Sequence, residues 1–270
     1  MIGNLFFYFF LAAFGLAVGS FISAYTFRVP RGISISKGRS FCDKCKKKII
    51  WYDNIPLLSY LLLGGKCRNC GKKISKRYPI IEGTTALVFL TTSYLAYSEL
   101  SVLEASYFGD WKQMLGSWST VFFILLFTSI TAVFITDFEN KLIPDEIVFT
   151  MYILILSVLV VFYEPNLYVR LLTSFSAAFT LLTLHFITLG RGMGLGDVKL
   201  ALVGGLFFGW PGTIIWLFLS FILGGVIGIT LIILGKAKFG AQIPFGPFMI
   251  SAFILTVLFG NYIGILIFNY

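Results

Sequence analysis

The run Trp118-Ser-Thr-Val-Phe-Phe-Ile-Leu-Leu-Phe-Thr-Ser-Ile-Thr-Ala-Val-Phe-Ile-Thr136 ends on Asp137, and Gly192-Met193-Gly194-Leu195-Gly196 leads into Asp197 at the edge of another apolar run. An uncharged stretch of that length suits a membrane-crossing helix. A carboxylate at its border is costly to place beside lipid, which makes both aspartates functional-site candidates by default. Two such groups on one membrane face could share a proton and cleave a peptide bond.

Working outward, the 270 residues are 58% hydrophobic and 12% charged, against about a quarter charged in soluble domains. Apolar spans fall at about 5–27, 80–97, 118–136, 147–163, 171–189, 198–212, 214–234 and 247–268. The sequence predicts an all-α polytopic membrane protein of about eight transmembrane helices. The count drops to seven if 198–212, broken by Gly204, Gly205, Gly209 and Pro211, is partial or re-entrant. No basic stretch precedes the first span, whose length suits a retained helix better than a cleaved signal peptide.

Charge sets the orientation. Of 21 Lys and Arg, 14 lie between Phe27 and Pro79. With eight spans and that segment cytoplasmic, Lys141, Arg191, Lys199, Lys236 and Lys238 are cytoplasmic too, leaving Lys112 and Arg170 outside. Both termini then face outward. The net charge of +9 is explained without nucleic acid, although a basic nucleic-acid-binding loop stays open as an alternative.

The segment 28–79 carries a small internal repeat. Cys42-Asp-Lys-Cys45-Lys-Lys-Lys-Ile recurs 25 residues later as Cys67-Arg-Asn-Cys70-Gly-Lys-Lys-Ile. Each C-x2-C turn offers two thiolates, so Cys42, Cys45, Cys67 and Cys70 complete a tetrahedral site for a structural zinc ion. Neighbouring lysines and Arg68 are expected to lower the thiol pKa values. A loop of little apolar content needs such a staple, and a reducing compartment argues against disulfides. His185, inside a span, reads as a packed polar residue. The expected division is a first transmembrane helix at 1–27, a zinc-binding cytoplasmic loop at 28–79 and a membrane domain at 80–270.

In this topology Asp137 closes an inward-running helix and Asp197 opens an outward-running one, so both carboxyls meet the cytoplasmic face. Structure alone gives Asp197 a role as a helix cap, with its glycines a flexible link. Yet Gly194 and Gly196 also permit close approach of backbone or substrate, and Lys199 adds a cation nearby. Asp137 is opposed by the helix dipole, so structure gives little reason to place it there. Asp145, which opens the next span beside Glu146, is its competitor. Of two adjacent carboxyls one stays protonated. The helix dipoles suggest that Asp197 carries the charge and Asp137 the proton, an assignment that belongs to the pair.

Together these motifs resemble the bacterial prepilin peptidases, the GxGD-type membrane aspartic proteases. The likeness covers nearly the whole chain. It runs through Gly19-Ser-Phe, Tyr25-Thr-Phe-Arg28-Val-Pro30-Arg31, Arg39-Ser-Phe-Cys42, Trp51-Tyr-Asp53-Asn54-Ile-Pro56 and Arg77-Tyr-Pro79-Ile-Ile-Glu82. It continues through Asp137-Phe-Glu-Asn-Lys-Leu-Ile-Pro144-Asp145, Gly194-Leu-Gly196-Asp197-Val-Lys199 and Ile243-Pro244-Phe-Gly246-Pro247. The resemblance implies that Asp137 and Asp197 are the catalytic pair. It also implies prepilin or pseudopilin substrates cut on the cytoplasmic side of the inner membrane, and N-methylation of the new terminus from S-adenosylmethionine. No Gly-rich nucleotide loop locates that cofactor; Asp53 and Glu82 are candidates. Leaders of such substrates are basic, so either Glu139, Asp145 and Glu146 receive them or the basic loop faces anionic lipid. The competing classes are a proton-coupled transporter with paired carboxylates, which would place acids near mid-span, and a membrane scaffold with a zinc-bound docking loop.

Overall fold

The structure, a computed structural model, describes residues 2–35, 39–98, 106–190, 192–236, 238 and 243–268. Among them no strand forms, and the chain divides into two compact units, Met1–Tyr97 and Ser98–Tyr270.

In the first unit, helix α1 (Ile2–Arg28) packs along α3 (Arg77–Tyr97), with the short α2 (Leu58–Leu62) in the intervening loop. The close approach comes from Gly15 and Gly19, a small-xxx-small pair. A Cβ on Gly15 would meet the Ala86 backbone at 2.8 Å, and one on Gly19 the Glu82 Cα at 2.7 Å. Without a hydrophobic drive between helices in lipid, such backbone contact supplies the packing. Arg77 fastens the same ends together, donating to the Ser23 carbonyl at 2.9 Å and to Thr26 Oγ1 at 2.5 Å.

The loop between them repeats in space as it does in sequence. Cys42 N–H donates to the Lys47 carbonyl and Lys46 N–H to the Cys42 carbonyl. Twenty-five residues on, Cys67 N–H donates to Lys72 and Gly71 N–H to Cys67. Isolated bridges Phe41–Lys48 and Lys66–Lys73 close both turns. The left-handed position is Gly71 in one copy, at φ 67°, and Lys46 in the other, at φ 58°.

The second unit holds α4 (Tyr107–Leu115), α5 (Ser119–Asn140), α6 (Asp145–Val161), α7 (Leu167–Ile187), α8 (Leu195–Ile233) and α9 (Gly246–Phe268). Helix α8 is the axis, packing against α6, α7 and α9. It breaks at Gly209 and Trp210, just before Pro211. Proline has no N–H to offer the carbonyl four residues back, so the Phe207 carbonyl needs other donors. It receives Trp111 Nε1 at 3.3 Å and Arg170 Nη1 at 2.6 Å. The Trp111 ring lies stacked against Phe122 and Phe207, with centroids 4.9 and 4.8 Å away. Such a break is tolerated because its freed group, the Phe207 carbonyl, is satisfied by side chains of the same unit.

Five helical stretches among the described residues are long and apolar enough to cross a membrane: Phe6–Arg31, Tyr107–Asn140, Leu167–Ile187, Leu195–Ile233 and Gly246–Leu266. Exposed Phe179, Phe186 and Leu266 give their outer faces an apolar character suited to lipid. The protein is thus an all-helical, multi-pass membrane protein. The span read at 80–97 falls within α3 and that read at 147–163 overlaps α6, whose last residue is Val161; both helices lie outside that set of five. Those read at 198–212 and 214–234 together make up most of α8, whose two arms part at Gly209 and Trp210, inside the first of these spans. The first arm, before the break, rises only about 21 Å, short of a hydrocarbon core of about 30 Å. The compact units divide after Tyr97, because α3 packs on α1.

Candidate functional site

Two sets of chemistry-bearing residues are assembled, one in each unit. In the second unit, Asp137 sits in the last turn of α5. Its carbonyl accepts the N–H of Lys141, which ends the helix in the left-handed conformation. The side chain is turned inward and is 5% exposed. The Gly246 backbone amide, at the first residue of α9, faces this carboxyl. Its Oδ2 is nevertheless buried with no hydrogen-bond partner in the described chain.

Asp197 lies in the first turn of α8 and is 6% exposed. It is not the cap that its position suggests. Gly194 occupies the N-cap, and the Asp197 carboxylate reaches back from three residues on to accept its N–H at 3.0 Å. A carboxylate at a helix N-terminus is favoured by the macrodipole. The two aspartates, sixty residues apart, are close enough to interact electrostatically.

Glycine lets the neighbouring chain pack close around both carboxyls. A Cβ on Gly246 would lie 2.5 Å from Asp137 Oδ2. One on Gly196 would lie 2.9 Å from the Ile143 side chain, and Ile143 Cδ1 in turn comes within 3.3 Å of the Gly246 position. Ile143 is thus wedged between the backbone preceding Asp197 and the backbone beside Asp137. Sequence reasoning missed both Gly246 and Ile143 as site residues. The signal available was their presence in the Ile143-Pro144 and Gly246-Pro247 segments, where a glycine or proline interrupts an apolar run.

The glycine-rich segment before Asp197 is pinned, which removes the reading of it as a flexible link. His185 Nδ1 bonds the Met193 carbonyl at 2.6 Å, so this nitrogen carries the proton, and Thr188 Oγ1 accepts the Gly192 N–H at 3.1 Å. His185 is a packed polar residue with this bond as its function in the fold. Arg191 lies outside the described residues. Lys199, expected to lend a cation to Asp197, is held instead by Asp145 through contacts of 2.7 and 2.8 Å. Asp145 is exposed and bound in that pair.

In the first unit, the four cysteine sulfurs gather within 4.8 Å of one another. Cys42 and Cys70 Sγ are 4.0 Å apart, and all four thiols are free. Sulfurs on a tetrahedral zinc with Zn–S of about 2.3 Å would stand about 3.8 Å apart. The cluster therefore fits a zinc ion, with Cys42, Cys45, Cys67 and Cys70 as its holders. The thiols are tuned differently from the expectation based on lysines. Burial raises Cys42, but the Cys45 and Lys44 amides and the neighbouring thiols bring it down to about 7. Cys70 is lowered by the Lys72 amide yet is pushed up to about 11 by burial and the other three thiols. Backbone amides and sulfur neighbours, rather than ammonium groups, set these values.

The candidate cofactor carboxylates separate. Asp53 is engaged by Arg68, whose Nε and Nη2 lie 2.8 and 2.7 Å from it, and this bond holds its carboxyl below the usual range. Glu82 is buried, accepting the Leu57 N–H at 2.7 Å.

Comparison with known proteins places two families on these two regions. Residues 13–96 match the bacterial peptidase A24 N-terminal domain, and residues 122–229 the type IV leader peptidase family. A Pseudomonas aeruginosa prepilin leader peptidase/N-methyltransferase is 30% identical, covering 92% of this chain and 89% of its own. A Bacillus subtilis protein of the same name is 30% identical over 93% of this chain and 94% of its own. One from Vibrio cholerae is 31% identical over 89% and 92%. No solved structure matches the chain.

Proposed function

Because this chain belongs to the type IV leader peptidase family, we propose that Asp137 and Asp197 are the carboxyls with which it cuts prepilins. The enzyme is a prepilin leader peptidase and N-methyltransferase: it removes the leader peptide and methylates the new N-terminal residue. The proposal concerns which residues act and how.

The single observation that carries it is the burial of two carboxyls, from α5 and α8, within electrostatic range of each other, with one oxygen left without a partner. Such a pair works with one proton between its members. The ionised member takes a proton from water as that water attacks the scissile carbonyl, and the protonated member donates to the carbonyl oxygen. The dipole at the start of α8 and the Gly194 amide favour charge on Asp197. The Gly246 amide at the start of α9 lends the same support to Asp137, so the proton belongs to the pair rather than to one member. Gly196 lets Ile143 close against the backbone before Asp197, while the Lys199–Asp145 pair ties α8 to α6 at the same ends. Both aspartates lie at helix ends rather than mid-span, so the transporter reading gains no support.

The excess of Lys and Arg in residues 28–79 supports a cytoplasmic active-site face in the inner membrane. Substrates of the prepilin and pseudopilin class would present the border of their own apolar helix at that depth. The zinc ion proposed for the four cysteines is a staple, tying two turns that have little apolar core. S-adenosylmethionine, when bound, supplies a methyl group to the amine, one S–CH3 bond breaking as N–CH3 forms and the amine releasing a proton.

The test is the full-length protein in detergent with a prepilin, read by mass spectrometry with and without S-adenosylmethionine. The expected products are a mature pilin lacking its leader and, with the cofactor, the same pilin one methyl heavier. An uncut precursor would contradict the protease reading, and a cut but never methylated product the second activity.

A further inference from the structure

The first unit encloses a cavity of about 480 Å³ between α1, α3 and the cysteine loop, within the range of about 300–1,000 Å³ typical of small-molecule sites. Among the charged side chains that line it, two of opposite sign are buried and form no ion pair among the described residues. They are Glu82, 7% exposed, and Arg28, 9% exposed. Glu82 accepts one backbone amide from Leu57 at 2.7 Å, and Ser20 lines the same cavity. A carboxylate has about four lone-pair sites, so acceptor capacity remains. Arg28 donates through Nη1 alone, to the Ser34 and Ile35 carbonyls at 3.3 Å, which leaves Nε and Nη2 unspent among the described residues.

The support for Glu82 is itself built at a cost. Leu57 stands at φ 60° and ψ −48°, the centre of a three-residue turn in which Leu58 N–H bonds the Pro56 carbonyl at 2.6 Å. That left-handed γ-turn is rare and strained for a side-chain-bearing residue. Its effect is to aim the Leu57 amide at Glu82. Buried charges are kept only when something compensates them. Here one cavity offers an anion and a cation that do not compensate each other, with Phe41 and Tyr60 lining the same space. A ligand bearing both charges and a flat ring system fits that combination.

We propose that this cavity binds the methyl donor, an adenosyl-sulfonium amino acid, with Glu82 facing its sulfonium and Arg28 its carboxylate. The proposal rests on the N-methyltransferase reading above and supplies the location that the missing nucleotide motif left open. Phe41 and Tyr60 offer ring faces to the purine. Asp53, occupied by Arg68, takes no part.

The experiment is equilibrium dialysis of the full-length protein in detergent against labelled S-adenosylmethionine, without prepilin. Wild type binds saturably. Glu82→Gln keeps an acceptor for the Leu57 amide but weakens S-adenosylmethionine by about tenfold to a hundredfold, while S-adenosylhomocysteine, which lacks the sulfonium charge, binds nearly as before. Ala24 of α1 lines the cavity, and Ala24→Phe fills it without removing a charge and abolishes binding of both ligands. Zinc content equal to wild type confirms that each variant is folded. Equal affinity of Glu82→Gln and wild type for S-adenosylmethionine overturns the proposal. So does an equal loss of both ligands in Glu82→Gln, or no binding by a wild-type preparation that methylates pilin. Asp137→Asn retains donor binding, so a failed cleavage reading and a failed cavity reading give separate results.

Discussion

The two units solve the same problem, holding polar groups together in an apolar protein, by opposite means. The first brings its cysteines together through a local repeat, in which each turn is closed by its own backbone bonds within a few residues. The second sets its carboxyls within electrostatic range from helices far apart in sequence, with glycine where α9 meets Asp137 and where Ile143 meets the backbone before Asp197. A site made by local turns tolerates change in its surroundings. A site made by helix packing depends on positions that carry no chemistry of their own.

That contrast can be broken experimentally. The largest effect is expected at Gly246→Ala, where the added methyl would fall on Asp137 Oδ2. Displacing a reacting group on that scale costs about a hundredfold or more in cleavage rate, and zinc content should not change. Near-normal cleavage would show that the second site is as tolerant as the first. Next is Cys42→Ser, which removes one of four ligands. Zinc affinity, followed by competition with a chelator, should fall by at least the roughly 10–100-fold that lesser, outer-shell changes cost. Cleavage should suffer less than in Gly246→Ala.

The smallest effect concerns the exposed Asp53–Arg68 pair. Arg68 holds the Asp53 carboxyl below its ordinary value, so the pair's contribution is present above that value, about 3.9. It is lost as pH falls through the depressed one. Asp53→Asn should therefore lower the thermal midpoint slightly at neutral pH and leave no difference from wild type in strong acid. A difference that persists in acid would assign the loop's stability to something other than this charge.

The sequence made some of this plain and concealed the rest for physical reasons. The cysteine site was legible because its information is periodic and local: the 25-residue offset reappears in the hydrogen bonds of both turns. The aspartates stood out as candidates because charge at the end of an apolar run is costly and therefore conspicuous. Gly246, Ile143 and the Leu57 turn were not, since each acts through contact with residues distant in the chain. Lys199 was misassigned for the same reason. Its nearness to Asp197 in sequence suggested a partnership that α6 preempts by presenting Asp145. The thiols show the same limit, because lysine-rich surroundings imply ammonium control, whereas folded turns aim backbone amides at the sulfurs.

The central claim is that Asp137 and Asp197 act as one unit, and single-turnover cleavage of a prepilin by Asp137→Asn, Asp197→Asn and the double variant tests it. Each single change should lower the rate by about a thousandfold or more, and the double variant should be no slower than the worse single, as for residues that work together. Cleavage near the wild-type rate in either single variant, or losses that multiply in the double, would contradict it.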